Sequence, residues 1–183
     1  FGVGKTRATD DALGEAADVL RHSPDLITLE DLFKNKDSWA LLTEAYQQHS
    51  PDAPFFRFHS AVRDLATLLW NLIRTAGTLP VADTYHCVCT GYAGLLGALA
   101  SRIHGAAFLL SEHGVYLKER IEDIRKSTWL ADGKQSSPFQ GDLGTFKSLW
   151  IDFFDLLCRF AYQNASCITA LFGGNAKLQI EFG

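Results

Sequence analysis

Three short apolar runs, "TYHCVCT", "AAFLLSE" and "SCITALF", are separated by stretches whose apolar residues recur at helical spacing. Each run has the length of a strand and the β-branched or aromatic content of one, and is too short for a buried helix. Strands joined through helices need crossover connections, and such crossovers produce parallel sheets. The expectation is an α/β fold: a parallel, Rossmann-like, doubly wound sheet with helices on both faces. Adjacent parallel strands are expected around 84–89, 106–111 and 166–171.

The rest of the chain fits one domain. A mainly helical part over 1–78 precedes a β/α core over 80–183. Thr9 or Asp10 can cap a helix running to about His22, Thr28 with Asp31 reads as a capping box, and Asp37 or Ser38 opens a helix through Gln48. Pro54 starts the longest helix, in which Phe58, Val62, Leu65, Leu69, Leu72 and Ile73 form one apolar stripe, read as a core face covering the sheet. Phe146, Leu149, Trp150, Phe153, Leu157 and Phe160 form a second stripe ahead of the last strand.

Composition narrows the function classes. With 47% hydrophobic residues, the 183-residue chain can build a core, so disorder is not expected. A net charge of -4 without a basic run argues against nucleic acid. No apolar stretch reaches the roughly 20 residues of a membrane span, and no secretory signal is read at the start, so the expected location is cytoplasmic. The four cysteines lack zinc-knuckle spacing and read as small buried residues of a reduced protein. "GVGKT", at Gly2 to Thr6, is half of a phosphate-binding loop, without the upstream glycine and strand that the full pattern needs.

Ligands of open α/β sheets bind beyond the carboxyl ends of the strands. Two predicted ends carry chemistry: Thr90 and Gly91 after the first, and Glu112, His113 and Gly114 after the second. Gly114 admits close backbone approach or positive φ, and Glu112 could orient the imidazole or bind hydroxyls. Tyr116, Lys118 and Arg120 start a helix whose positive end favours anions, although Tyr116 and Arg120 read first as packing and helix-surface pairs. His86 reads as a core histidine on the neighbouring strand. Asn175, in "GGNAKLQIE", reads as a helix cap.

The runs "YH", "TGYAGLLGALA", "EHGVYLKERIEDI" and "GNAKLQIE" together resemble the PelF-type members of glycosyltransferase family 4, retaining enzymes associated with Pel exopolysaccharide synthesis. The resemblance covers the second half of the chain well and the helical first half loosely. It implies a two-domain GT-B fold of facing Rossmann-like halves, of which this chain is the N-terminal, acceptor-side one. It also implies hexose transfer from a nucleotide sugar, UDP-glucose above all, to a growing polysaccharide, with neither a metal ion nor any other cofactor. On this resemblance His113 is catalytic, and Glu112, Gly114, Tyr116, Arg120, Thr90 and Gly91 bind substrate. Retaining transfer passes through an oxocarbenium-like transition state, where a neutral imidazole can hydrogen-bond hydroxyls without burying a charge. The implied partners are the nucleotide sugar, the acceptor and a missing C-terminal donor-binding half, and the resemblance admits a membrane-bound synthase complex. The glycine-rich loop and the paired glutamates of such enzymes are absent from these residues, so the chain by itself is expected to be inactive. A noncatalytic α/β carbohydrate-binding or protein-interaction domain is the alternative.

Overall fold

The computed structural model of the chain describes residues 12–19, 22, 28–128, 130 and 144–182. The Gly2 to Thr6 run and the cap expected at Thr9 or Asp10 lie outside the described residues. Helices come first: α1 (residues 12–19), α2 (Leu29–Lys34), α3 (Lys36–His49) and α4 (Phe55–Thr78). Then follow β1 (Thr84–Cys87), α5 (Gly91–His104), β2 (Ala107–Glu112), α6 (Tyr116–Lys126), α7 (Thr145–Asn164), β3 (Cys167–Ala170) and α8 (Gly173–Phe182).

Local chemistry sets the helix starts. At α2 the capping box forms: the Asp31 amide donates to Thr28 Oγ1 at 3.2 Å, and the Thr28 amide donates to Asp31 Oδ2 at 2.8 Å. Helix α3 opens slightly earlier than expected, because Asn35 rather than Asp37 or Ser38 supplies the cap, its Oδ1 accepting from the Asp37 amide at 2.9 Å. Pro54 precedes α4 as expected.

The three strands pair in parallel in the order β1-β2-β3, with Tyr85 opposite Phe108, Leu110 opposite Ile168 and Glu112 opposite Ala170. Side chains alternate along a strand, so Phe108, Leu110 and Glu112 share one face. Helices α5 and α7 cover that face, and both Phe108 and Leu110 are fully buried. Gly97 lets α5 come close: a Cβ there would meet Cys87 Sγ at 2.6 Å and the Phe108 ring at 2.7 Å. The long stripe on α4 packs on α5 and α7, one layer out from the sheet, instead of directly on it. Phe58, Leu65 and Ile73 of that stripe are buried in this outer layer.

The described helices lie on one face of the sheet, where the sequence pattern suggested two. The strand order explains this. Neighbouring parallel strands taken in sequence order, each joined by a right-handed crossover, put every connection on the same side. His86 therefore points to the open face and is exposed, contrary to its reading as a core histidine. The cysteines also differ from expectation: Cys158 alone is buried, Cys87 and Cys89 are partly so, and Cys167 is exposed on the open face.

Candidate functional site

At the carboxyl ends of β2 and β3 lies a hollow of about 560 Å³, lined in part by His113, Gly114, Lys118, Glu119, Phe172 and Asn175. Its position is set by the sheet. Strand β2 ends at Glu112, the next two residues turn, and Val115 leads into α6, while the opposite wall is the start of α8.

Of the residues singled out from sequence, His113 and Gly114 line this hollow. His113 is exposed, and its Nδ1 lies 3.3 Å from the Val88 carbonyl in the loop after β1. A carbonyl oxygen only accepts, so Nδ1 carries the ring's proton and Nε2 of the neutral imidazole is an acceptor. Among the described residues no hydrogen bond engages Nε2. Gly114 makes no left-handed turn, since its φ is not positive, and a Cβ there would meet the end of the Glu119 side chain, 2.6 Å from Oε1, which can swing aside.

The other candidates form the support behind the hollow. Glu112 is 3% exposed and accepts four hydrogen bonds. They come from Thr90 Oγ1 at 2.9 Å, the Tyr116 amide at 3.0 Å, the Tyr162 hydroxyl at 2.5 Å and Gln179 Nε2 at 3.1 Å. A carboxylate so occupied has no lone pair left for a ligand, so its role as a substrate contact is corrected to a buried one. Thr90 is fully buried beside it and accepts from Cys158 Sγ at 3.3 Å. Gly91 is buried with φ +72°, and the Tyr116 ring occupies the space a side chain would need, 2.4 Å from an added Cβ. Arg120 lies over the Tyr116 and Phe154 rings, 5.3 and 5.7 Å from their centres, and pairs with Asp123 at 3.4 Å, which is the packing arrangement.

Burial shapes the acid-base character of this support. It pushes the Cys158 thiol up from its ordinary value of 9.0 to about 11. The Tyr162 phenol is also raised, first by burial and then by its bond to Glu112. Burial raises Tyr116 as well, with Arg120 partly opposing it.

Sequence reasoning missed α8 as a partner. Asn175, expected as a helix cap, lies within the first turn of α8 and is 8% exposed, and its Nδ2 donates to the His113 carbonyl at 3.3 Å. Among the described residues no group of three or more His, Cys, Asp or Glu side chains is arranged to hold a metal ion. No helix among them is long and apolar enough to cross a membrane.

Residues 3–183 match the family described as Domain of unknown function (DUF3492). The chain belongs to this family. The match covers both the helical first part and the β/α core. No curated protein and no solved structure matches the chain significantly.

Proposed function

We propose that this DUF3492 chain is the acceptor-side part of a retaining glycosyltransferase of the PelF-type family 4, acting on a nucleotide sugar, UDP-glucose above all, and a polysaccharide acceptor. The observation that carries the reading is His113, placed past the carboxyl end of a parallel strand with Nδ1 committed to a backbone carbonyl and Nε2 without a hydrogen-bond partner among the described residues. The resemblance of the "EHGVYLKERIEDI" run to those enzymes gives that imidazole its role. In the proposed reaction the anomeric carbon exchanges its bond to the diphosphate oxygen for a bond to an acceptor hydroxyl, whose proton leaves with the diphosphate. Nε2 accepts a hydrogen bond from a sugar hydroxyl as positive charge develops on the ring.

The lining of the hollow supports an acceptor-side role. Glu119, Glu122 and Asp123 face it together with Lys118. Carboxylates accept readily from sugar hydroxyls and repel a diphosphate, which fits a donor nucleotide held mainly by a second domain. Pairs of Glu122 with Arg125 and of Asp123 with Arg120 temper that charge only weakly at an exposed surface.

The test is nucleotide release and sugar transfer by the complete protein supplied with UDP-glucose and a polysaccharide acceptor. His113→Ala should lower turnover on the order of 10²-fold while donor affinity and melting temperature stay near wild type. His86→Ala, on the open face, should change none of the three. Near-normal turnover by His113→Ala would remove the imidazole from the reaction. The same carboxylate-rich lining also suits a noncatalytic carbohydrate-binding domain. Oligosaccharide binding by the complete protein with no nucleotide release would favour that second reading.

A further inference from the structure

We propose that Glu112 is a positioning residue for the His113 imidazole, served by Asn175 and Gln179 of α8. This rests on the reading of His113 given above for its kinetic consequence, and on geometry alone for its structural one.

Glu112 and His113 are consecutive, and two segments grip both of them. From the loop after β1, Thr90 Oγ1 donates to Glu112 Oε1 at 2.9 Å, and the Val88 carbonyl meets His113 Nδ1 at 3.3 Å. From α8, Gln179 Nε2 donates to Glu112 Oε2 at 3.1 Å, and Asn175 Nδ2 donates to the His113 carbonyl at 3.3 Å. Asn175 and Gln179 are one helical turn apart and so stand on the same face of α8. The buried tie at Glu112 holds the two loops at the separation that lets the exposed imidazole reach Val88. Apart from it and the His113 contact itself, no side-chain hydrogen bond among the described residues joins the loop after β1 to the end of β2.

The grip has a chemical consequence beyond stability. The Val88 contact selects the Nδ1–H tautomer and leaves Nε2 as the acceptor. Loosening the Glu112 tie frees the ring to exchange tautomers or turn away. The remaining Glu112 partners, the Tyr116 amide and the Tyr162 hydroxyl, fix the start of α6 and the end of α7 against the same point.

The experiment uses Glu112→Gln and Gln179→Ala in the complete protein, with three readouts: melting temperature, the nitrogen NMR signature of the His113 tautomer, and sugar-transfer kinetics. The wild type should show the Nδ1–H form. Both variants should remain folded yet show mixed tautomers, with turnover down roughly 10-fold and donor KM changed by less than about two-fold, as for other groups that orient a reacting side chain. Placed in a His113→Ala background, either substitution should add less than about two-fold, because its effect acts through the imidazole. An unchanged tautomer in a folded Gln179→Ala protein, or full additivity with His113→Ala, overturns the proposal. If Glu112→Gln fails to fold, Gln179→Ala decides, since it leaves the carboxylate three donors. If the wild type transfers no sugar, the glycosyltransferase reading falls and the tautomer measurement still decides the positioning role.

Discussion

The two faces of the sheet are built on opposite terms. On the covered face, Phe108 and Leu110 lie fully buried under α5 and α7, and even the polar end of the strand, Glu112, is sealed among donors. On the open face, His86 Nε2 lies 2.9 Å from Ser111 Oγ, to which Thr169 Oγ1 donates at 2.8 Å, so one side chain from each strand forms a polar row across the sheet. The covered face draws its stability from excluded water and close packing, the open one from small polar groups that water can also satisfy. The same alternation along β2 thus sends Leu110 and Glu112 into the core and Ser111 outward.

The sharpest way to break this contrast is truncation on the covered face. Leu110→Ala should cost about 2–5 kcal/mol, read as a lower urea midpoint with an unchanged slope, because the void under α5 and α7 has close-packed walls. A loss below about 1 kcal/mol would mean that the helices collapse onto the gap, and the packing account would fail.

A somewhat smaller effect should appear at alkaline pH. Cys158 titrates near its ordinary 9.0 when unfolded and at about 11 in the fold, so above pH 9 the native state binds more protons than the unfolded state. Its contribution is fully present below pH 9 and is lost as pH rises through about 11, amounting to on the order of 2 kcal/mol, and the raised Tyr162 phenol acts in the same direction. Urea titrations between pH 8 and 11 should show this decline, and Cys158→Ala should flatten it. A decline as steep in Cys158→Ala as in the wild type would assign it elsewhere.

The smallest effect belongs to the open face. Ser111→Ala removes the centre of the polar row, yet should change stability by no more than about 0.5 kcal/mol, since water replaces the lost partners of His86 and Thr169. A loss comparable to that of Leu110→Ala would show that the open face is structurally as demanding as the covered one.

Much of this architecture was legible in sequence. The strands fell where short apolar runs interrupted helical periodicity, and Thr28 and Asp31 announced their capping box. Even the inward turn of Glu112 was available from period two, since it continues the alternation of Phe108 and Leu110. A carboxylate at a strand end beside a histidine reads as chemistry first, which hid that simpler geometry. The one-sided helix layer was not legible, because strand order is a property of the assembled sheet. Nor was the Asn175 contact, since nothing local to "GGNAKLQIE" points to the His113 carbonyl.

The four bonds to Glu112 also span much of the chain. Its donors lie 4, 22, 50 and 67 residues away along the chain. Loop closure costs more entropy as the intervening chain lengthens. Gln179 completes the set only when α8 docks. The carboxylate therefore gathers four segments at one point, and the frame around His113 is complete only when all four are in place.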